Sequence, residues 1–468
     1  TDADYRTPWT HSYGARLSVN TAAKWAVLTL GNGNQRFFIG PARVGNLPEA
    51  PYSLTPWPNV SELGSLTPKS IGTGTPYIGW QYTSPEDDTV WAFNPTGNAL
   101  SQTLRNGWAT TYTYDAQDRL ARVTNAFGRS LHFAYDSTGQ LTSVTTPDAG
   151  VITYGYDGQG RLISASYPGS VSKSYLYENA TFPQALTGIV DEAGQRSTYA
   201  YDSQGRAISS ELAGGLDRYR VLYQAPSSSA IVASVIDPRG TQRSYAYTTM
   251  NEKRVVTNAN IPGASGHPDA ANRVQNSAGL VTQETDFLGV QTMYTWDITR
   301  RLPLSTTQAA GRPEAQTSST QWHPSYRLAV LITEAGRSTA YTYDTQGNKL
   351  SEVITETTTT AATAAATTNQ ARTWAWTYNT AGLVTTSTDP KGAMTTYAYN
   401  AQGQASSMTN PLGHVSTYAY DAAGRLASQT EPNGLASSYA YDARGRLLSS
   451  TTGSGASLEA TNYTYHPT

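Results

Sequence analysis

The sequence predicts an all-β protein: a long spiral of antiparallel β-hairpins that curls into a hollow barrel or cage wall. A short unit recurs along the 468 residues, as STYAYDAAGRLASQTEPNG at 416–434 and TTYAYNAQGQASSMTNPLG at 395–413. Each unit carries two tyrosines two residues apart, a spacing that puts both rings on one face of a strand. Apolar residues at helical spacing are scarcely found.

The second aromatic residue of each pair marks the period. Tyr399 and Tyr420 are 21 residues apart, and this interval is the commonest. The pattern is weakest at Gln275, where the aromatic residue is lost, and at Tyr223 and Trp322, where spacing alone supports the register. The marks are Phe93, Tyr114, Tyr135, Tyr156, Tyr177, Tyr201, Tyr223, Tyr247, Gln275, Trp296, Trp322, Tyr343, Tyr378, Tyr399, Tyr420, Tyr441 and Tyr465.

Each unit predicts one hairpin, as residues 416–434 illustrate. Tyr418 and Tyr420 lie on the incoming strand. Asp421-Ala-Ala-Gly424 forms the turn, because Asp can accept hydrogen bonds from the backbone that follows it and Gly tolerates positive φ. Residues 425–430 form the return strand, and EPNG at 431–434 is the opposite turn, which leads to the next unit.

Longer intervals place their extra residues at turns. The 24-residue interval from Tyr177 to Tyr201 holds ENATFPQ in place of a short turn. The 35-residue interval from Tyr343 to Tyr378 holds TETTTTAATAAATTNQ, whose residues 355–368 are predicted to form a mobile loop. The stretch NIPGASGHPDAANR behaves likewise. These insertions indicate loops on two edges of one continuous sheet, and so long a twisted sheet has to curl or close.

The repeat divides the chain in two. Residues 1–88 are predicted as an N-terminal β-rich opening segment, and residues 89–468 as about 17 hairpin repeats that form the shell. WAVLTLGNGNQRFFIG at 25–40 predicts a hairpin around Gly31 and Gly33. Residues 46–77 are rich in Pro, Ser and Thr and are predicted to form a long loop.

Composition excludes several classes of function. Without cysteine, the chain has no disulfide, thiolate metal site or Cys nucleophile. A formal net charge of −2 argues against a nucleic-acid partner, and no apolar run reaches the roughly 18 residues of a membrane span. The excess of 32 Tyr over 7 Phe indicates surfaces that are half apolar and half hydrogen-bonding. The chain begins without Met or a signal-peptide pattern, as an excised or processed piece would.

The repeated residues resemble a known family. YAYDSQGR at 199–206 and YAYDARGRL at 439–447 resemble the YD repeat of bacterial Rhs proteins. Trp9-Thr-His11-Ser-Tyr13 resembles the W-x-H-S-Y opening that precedes such repeats. The resemblance covers essentially the whole chain.

The resemblance implies a hollow β-cage that encloses the cytotoxic C-terminal domain of a bacterial polymorphic toxin until delivery. Its implied partners are the toxin cargo, the remaining shell and secretion-system components, and its implied location is outside the producing bacterium. Tc toxins use the same kind of shell, and teneurins use a related barrel for adhesion. The family's toxin domain, delivery domain and core-ending autoproteolytic segment are missing from this sequence, so self-cleavage and toxicity are not carried over. The shell role is non-enzymatic and needs no cofactor or metal.

A second hypothesis belongs to the binding class: an extracellular YD-repeat protein that recognises carbohydrate or a partner surface. Stacked tyrosine faces can hold sugars or unfolded apolar peptide. The alternative is that the rings pack as cross-strand pairs. We expect packing for most of the tyrosines and a minority lining the lumen.

Two D-P-x-G sequences match the autoprotease motif by letter. They are Asp389-Pro-Lys-Gly392 and Asp237-Pro-Arg-Gly240. Asp389, however, aligns with the Asn of NPLG and the Glu of EPNG, so both sequences are interpreted as ordinary turns between hairpins.

Aspartate and arginine recur four residues apart, and one such pair could serve as a catalytic acid and base. Because the pair recurs hairpin after hairpin, it is interpreted as a turn brace. The residues assigned to this structural repeat are Tyr114, Asp115, Tyr156, Asp157, Gly160, Arg161, Tyr201, Asp202, Gly205, Arg206, Tyr343, Asp344, Gly347, Tyr420, Asp421, Gly424, Arg425, Tyr441, Asp442, Gly445 and Arg446.

Other motifs for chemistry are rejected. The six histidines, at positions 11, 132, 267, 323, 414 and 466, are scattered and show no metal-ligand spacing. Gly31-x-Gly33 lacks a third glycine, since Arg36 occupies that position, and no helix pattern follows, so it is not a dinucleotide loop.

Overall fold

A computed structural model describes residues 11–20, 25–39, 57–58, 65–70, 78–223, 231–250, 253–263, 269–356, 370–453 and 457–465. These residues form 39 strands in three sheets and one short 3₁₀ helix, Ala213–Gly215. No α-helix occurs in the described ranges, the strands described there pair antiparallel, and they take up roughly half of the chain. The all-β prediction is confirmed.

The first sheet is small and antiparallel. Its strands are β1 (Arg16–Asn20), β2 (Trp25–Thr29) and β3 (Gln35–Ile39). β2 and β3 form the predicted hairpin, with Thr29 opposite Gln35. The Gly33 N–H donates to the Leu30 carbonyl at 2.8 Å, which closes the turn as the GNGN sequence predicts.

The second sheet has its strands in chain order. They are β4 (Trp57–Pro58), β5 (Ser65–Ser70), β6 (Ile78–Thr83), β7 (Val90–Phe93), β8 (Ala99–Thr103), β9 (Ala109–Tyr114), β10 (Leu120–Thr124), β11 (Ser130–Tyr135), β12 (Leu141–Thr145), β13 (Val151–Tyr156), β14 (Leu162–Tyr167), β15 (Val171–Leu176), β16 (Gly188–Val190), β17 (Arg196–Tyr201), β18 (Ala207–Leu212), β19 (Leu216–Tyr223), β20 (Ile231–Ile236), β21 (Gln242–Met250) and β22 (Lys253–Ala259). β22 lies beside β4, so this sheet closes on itself and is called the closed sheet below.

The third sheet is open and is called the open sheet. Its strands, also in chain order, are β23 (Asn272–Gln275), β24 (Val281–Thr285), β25 (Gln291–Asp297), β26 (Leu302–Gln308), β27 (Gln316–Trp322), β28 (Ala329–Glu334), β29 (Arg337–Tyr343), β30 (Lys349–Glu356), β31 (Gln370–Tyr378), β32 (Val384–Thr388), β33 (Met394–Tyr399), β34 (Ala405–Thr409), β35 (Val415–Tyr420), β36 (Leu426–Thr430), β37 (Ala436–Tyr441), β38 (Leu447–Thr452) and β39 (Glu459–Asn462).

The prediction of one continuous sheet is wrong at a single point. The ladder of hydrogen bonds stops between β22 and β23, and the chain there carries most of NIPGASGHPDAANR. This insertion contains two prolines, which cannot donate to a ladder, and it is long enough to separate the strands. The array is therefore two sheets of hairpins joined by one irregular connection.

Two predicted loops need correction. The prediction of a long loop over residues 46–77 is wrong in part. β4 and β5 lie within this range and pair with each other, with Trp57 opposite Leu66. The predicted mobile loop at 355–368 begins too early, since β30 continues to Glu356 and Thr355 pairs with Ala371. Residues 357–369 lie outside the described residues, as does Trp9 of the predicted opening motif.

The main apolar core lies where the small sheet packs on the first hairpins of the closed sheet. Leu17, Leu28 and Phe38 are almost fully buried there, together with Tyr82 and Phe93 of the closed sheet. The Leu17 N–H also donates to the Gly97 carbonyl at 2.8 Å. The small sheet thus covers the face that carries the paired aromatic residues of the first units. Just before β1, the Tyr13 ring lies 6.4 Å from the Phe133 ring of the closed sheet.

Candidate functional site: the repeated clasp and the seam

The repeated aspartate accepts hydrogen bonds from its own turn. In the hairpin turn after β13, Oδ1 of Asp157 accepts the backbone N–H groups of Gln159 and Arg161, both at 2.9 Å. Oδ2 accepts Nε of Arg161 at 2.7 Å. One carboxylate therefore fixes the turn backbone and the arginine together.

The glycine of the turn is required by backbone geometry. Gly160 has a φ of +78°, and its N–H donates to the Asp157 carbonyl at 2.9 Å. The Asp157 N–H in turn donates to the Arg161 carbonyl at 3.0 Å, so the loop is a type I turn followed by a left-handed residue. The resulting bulge places Tyr156 opposite Leu162.

The arginine and the tyrosine join successive hairpins. The Arg161 guanidinium lies over the ring of Tyr177 in the next unit, 5.0 Å from its centroid. The Tyr177 hydroxyl donates back to the carbonyl of Leu162 at 2.9 Å, next to that arginine. We call this set of Asp, Arg and following Tyr the clasp. It links a turn to the neighbouring hairpin through charge, ring and backbone at once.

The clasp recurs along both sheets. Aspartate–arginine pairs at 2.7–2.8 Å are Asp115–Arg119, Asp202–Arg206, Asp421–Arg425 and Asp442–Arg446. Hydroxyls that donate to a carbonyl of the preceding hairpin are Tyr114 to Ala99, Tyr135 to Leu120, Tyr156 to Leu141, Tyr201 to Leu186, Tyr223 to Ala207, Tyr343 to Ala329, Tyr378 to Lys349, Tyr399 to Val384, Tyr420 to Ala405, Tyr441 to Leu426 and Tyr465 to Leu447.

Non-tyrosine residues make the same bond where the repeat is degenerate. The indole N–H groups of Trp296 and Trp322 donate to the carbonyls of Val281 and Pro303 at 2.7 and 2.8 Å. The side-chain amide of Gln275 donates to the Val256 carbonyl at 3.0 Å. Gln275 thereby carries the clasp across the break between the closed and open sheets. The three weakest register assignments, Tyr223, Gln275 and Trp322, are confirmed by this shared bond.

Some turns keep only part of the clasp. In the unit of Tyr343, Nδ2 of Asn348 donates to Oδ2 of Asp344 at 2.8 Å in place of an arginine. In the turn that follows Tyr399, Nδ2 of Asn400 donates to Oε1 of Gln404 at 3.1 Å. The backbone part of the clasp is therefore more constant than its charge.

The pKa values of the clasp aspartates and tyrosines agree with their roles as hydrogen-bond acceptors and donors. The backbone hydrogen bond from Arg119 is the largest cause that holds the pKa of Asp115 below its usual value, and the one from Arg161 does the same for the pKa of Asp157. Burial raises the pKa of Tyr114 and of Tyr135 to about 12. The carboxylates are thus charged and the tyrosine hydroxyls protonated across the physiological pH range.

A second set of contacts joins the two large sheets. We call the D-x-x-G turns hairpin turns, and the turns that lead from one hairpin to the next connecting turns. Connecting turns of the closed sheet meet hairpin turns of the open sheet along a line that we call the seam. Nε1 of Trp108 donates to the Ala381 carbonyl at 2.6 Å, and Nη2 of Arg444 donates to Oε1 of Glu192 at 2.6 Å. Arg129 donates to the carbonyl of Ala423.

Glycines and a partly buried carboxylate shape the seam. The Phe127 ring occupies the space where a Cβ at Gly403 would stand, 2.5 Å from the ring edge. Oδ2 of Asp88 accepts Nη1 of Arg105 and the backbone N–H of Arg327, both at 3.1 Å. Phe127 and Gly403, like Asp88 and Arg327, lie more than 200 positions apart in sequence, so the seam stacks two layers of a spiral.

The sequence motifs that were candidates for catalysis form turns between hairpins. Oδ1 of Asp389 accepts the N–H groups of Lys391 and Ala393 at 2.8 Å, and Asp237 makes the same pair of bonds to Arg239 and Thr241. Both D-P-x-G sequences are therefore turns, as predicted. The small hairpin at Gly31 and Gly33 is likewise structural.

Two of the described histidines pack within the fold. Nδ1 of His323 accepts the N–H groups of Ser325 and Tyr326, and its ring stacks on Tyr326 at 4.8 Å. Burial lowers the pKa of His11, whose ring lies 5.5 Å from Phe133. Across the described ranges no group of three His, Cys, Asp or Glu residues could hold a metal ion, and His267 and His466 lie outside those ranges.

Sequence reasoning missed the seam and one aromatic cleft. The cleft, about 260 Å³, is lined by Trp374, Trp376, Ser387, Asp389 and Pro411 of the open sheet. The signal in the sequence was the run Trp374-Ala-Trp376-Thr-Tyr378, in which Trp376 replaces the first tyrosine of the pair and Trp374 adds a third aromatic residue. In the part of the chain that the structure describes, no helix has the length and apolarity to cross a bilayer.

Comparisons with known proteins agree with this geometry. A family model described as teneurin YD-shell matches residues 78–232, and one described as RHS repeat matches 378–415, 399–436 and 420–457. The RHS matches begin at successive period marks. No curated protein matches the chain.

A solved structure shares the fold. One described as TcdB2-TccC3-Cdc42 has a TM-score of 0.55 at 12% identity, covering 91% of this chain and 24% of that chain. The Photorhabdus luminescens Tc holotoxin pore has a TM-score of 0.45 at 12% identity, covering 94% and 26%. The chain thus spans about a quarter of the length of these structures. Consecutive hairpins that are joined by repeated clasps into a continuous wall are typical of hairpin-repeat shell proteins. The chain belongs to the Rhs/YD-repeat family.

Proposed function

We propose that the chain is a wall segment of a shell that encapsulates the C-terminal toxin domain of a bacterial polymorphic toxin until delivery. The clasp is the observation that carries this proposal. Its bond from a side chain to a carbonyl of the preceding hairpin recurs in almost every described unit, and Gln275 makes it where the hydrogen-bond ladder stops. A bond that recurs from unit to unit, and that several types of side chain can make, suits a wall. A wall needs continuity, and none of its units needs a special chemistry.

The proposed role is structural and non-catalytic. The carboxylates of the repeat, such as those of Asp157 and Asp421, accept hydrogen bonds from the backbone of their own turns and from arginine side chains. The seam extends the wall in the second dimension, from one layer of the spiral to the next. We keep the division at residue 88 as a proposal about where repeats begin, although β4 to β6 belong to the same closed sheet.

The proposed partners are the toxin cargo and the rest of the shell, and the proposed place of action is outside the producing cell. The match to the RHS repeat model and the fold shared with the TcdB2-TccC3-Cdc42 structure support this class of partner. The route of secretion and the secretion-system components remain part of the proposal.

Protease protection tests the encapsulation role. The full gene product, with whatever follows residue 468, is digested with trypsin in its native state and after mild unfolding. We expect the downstream domain to be protected in the native protein and degraded once the wall is opened. A downstream domain that is cut as fast in the native protein as in isolation would contradict encapsulation.

The aromatic cleft supports a second candidate, a protein that binds carbohydrate. The half-buried rings of Trp374 and Trp376 line this cleft beside Ser387 and Asp389, and the Lys349 ammonium lies 4.2 Å from the centroid of the Trp376 ring. Aromatic rings beside polar groups are the combination that pyranose rings prefer. Tryptophan fluorescence titrated with common neutral sugars would test it. Saturable quenching that Trp374→Ala abolishes at unchanged Tm favours the binder, and an unchanged spectrum with every sugar removes this candidate.

A further inference from the structure

The contacts of the seam follow the order of the chain on both large sheets. The first joins Asp88 to the N–H of Arg327, and the last joins Glu192 to Arg444. The contacts between them, in the same order, are Arg105 with Gly347, Trp108 with Ala381, Phe127 with Gly403, Arg129 with Ala423 and Gly169 with Ala443. The next place in this order is the connecting turn between β18 and β19 on the closed sheet, opposite a hairpin turn that would follow β39 on the open sheet.

The connecting turn between β18 and β19 leaves two leucines uncovered. Leu212 and Leu216 lie opposite each other across this turn, and they are 50% and 68% exposed. Tyr219, on the same strand as Leu216, is exposed as well. In the preceding connecting turn, by contrast, the side chain of Glu192 is only 1% exposed and bonds to Arg444 of the open sheet. An apolar turn one place beyond the last seam contact suggests a surface that a further hairpin turn covers.

The open sheet ends directly after the hairpin that makes the last contact of the seam. β39 pairs with β38 on one side, and no described strand pairs with its other side. All four residues of β39 are exposed. The clasp is kept here, since the Arg446 guanidinium lies 4.6 Å from the centroid of the Tyr465 ring. An unpaired edge strand offers its backbone groups to another strand, and the kept register fixes where the turn of that hairpin would lie.

We propose that Leu212 and Leu216 are the docking site of one further YD-repeat hairpin, which pairs with β39 and belongs to the remaining shell. Its turn would place a small residue against the leucines, as Ala381 and Ala423 are placed at the seam. Continuity with the seam favours this occupant over a second copy of the chain, because one hairpin in register can pair with β39 and reach the leucines at once. The inference rests on the proposed wall role, but it concerns the wall alone and needs no cargo.

An extension of the chain in register tests this docking. Residues 421–441 form one period of the repeat, so a copy of them placed directly after Tyr465 continues it. The chain has no cysteine, so Leu216→Cys gives a single site for a maleimide. We expect the extension to slow the maleimide reaction at least about tenfold, because burial of one leucine-sized side chain shifts the docking equilibrium by about that factor or more.

Two controls belong to the labelling experiment. Leu412→Cys lies at the opposite edge of the open sheet, at a residue that is 78% exposed, and should react at the same rate with and without the extension. An extension with the same residues in scrambled order should protect neither site. Protection that grows with protein concentration would assign the leucines to a second copy of the chain and would overturn the proposal.

Thermal melts give a second measurement. The extension should raise the Tm of the wild-type chain, and it should raise the Tm of Leu212→Ser/Leu216→Ser by less. The proposal is overturned if the extension leaves the labelling rate of Leu216→Cys unchanged, slows Leu412→Cys equally, or raises the Tm by the same amount with and without the leucines. Neither readout involves cargo, so a failure of encapsulation in the protease experiment and a failure of this docking are separate results.

Discussion

The hydroxyl of Tyr420 donates a hydrogen bond of 2.9 Å to the backbone carbonyl of Ala405, the first residue of the return strand in the preceding hairpin. This bond explains why tyrosine rather than phenylalanine dominates the repeat. The ring packs between hairpins, and its hydroxyl satisfies a carbonyl at the bulge. Each unit is therefore attached to the one before it through a side chain as well as through its strands.

Tyr420→Phe should lower the free energy of unfolding by about 1 kcal/mol, because it removes one hydrogen bond and keeps the ring. Tyr420→Ala should cost about 2 kcal/mol, less than the about 3–5 kcal/mol of a fully buried aromatic, since Tyr420 is half-buried. Tyr112→Ala should reach that range, because Tyr112 is 4% exposed. Thermal melts measure the order, and Lys391→Ala, at an exposed side chain, is the control and should change the free energy of unfolding by no more than about 0.5 kcal/mol. Equal costs for Tyr420→Phe and Tyr420→Ala would refute the packing role of the ring.

Gly424→Ala should destabilise the chain more than Gly434→Ala. Both glycines have nearly the same positive φ, +82° and +83°, so the backbone strain of about 1–2 kcal/mol is common to both. A Cβ at Gly424 would stand against the Arg129 guanidinium across the seam, whereas nothing lies within 4 Å of the Cβ position at Gly434. The difference between the two Tm values isolates the seam. Identical losses would show that the seam contact adds nothing.

Acid should loosen the wall through the repeat aspartates. The pKa of Asp157 and of Asp202 is lower in the folded chain than in the unfolded chain. Their contribution to stability is therefore full above about pH 4 and is lost as the pH falls below that value toward the folded pKa. Asp157→Asn/Asp202→Asn should flatten the Tm profile below pH 4, whereas Glu314→Gln, at an exposed carboxylate, should leave it unchanged. A double variant with the wild-type acid slope would contradict this role.

Gln275→Leu should destabilise the junction between the closed and open sheets, because it leaves the Val256 carbonyl without its side-chain donor. We expect a loss of about 1 kcal/mol, and Gln275→Tyr should restore it by returning the donor that the repeat normally supplies. Tm measurements on the two variants test this. If Gln275→Leu melts like the wild type, the clasp does not act at the break.

The hairpins could be predicted from sequence because their causes are local. Asp, Gly and paired tyrosines stand within a few residues of one another, so the sequence alone predicts a turn from Asp157 to Gly160 after the strand that ends at Tyr156. The partner of the tyrosine hydroxyl was less accessible. Its acceptor is a backbone carbonyl, such as that of Leu141, which has no signature in the sequence. The amide of Gln275 likewise looked like a lost aromatic residue.

The seam could not be predicted because it depends on the pitch of the spiral. Trp108 and Ala381 meet across 273 residues, and no local pattern pairs them. The only trace in the sequence is a large side chain, such as Phe127 or Trp108, in a connecting turn where small or polar residues are usual. The same limit applies to the break after β22, where sheet closure rather than period decides which strands pair.

A cysteine pair across the seam tests the central claim, that the chain winds into stacked layers joined at their turns. A Cβ at Gly169 would lie 3.8 Å from the Cβ of Ala443, the separation found in disulfides, and the chain has no other cysteine. Gly169→Cys/Ala443→Cys should form an intramolecular disulfide under dilute mild oxidation, seen as faster migration on a non-reducing gel. The control pair Gly139→Cys/Ala443→Cys should stay reduced. Failure of the first pair to close in folded protein, or equal closure of both pairs, would contradict the layered wall.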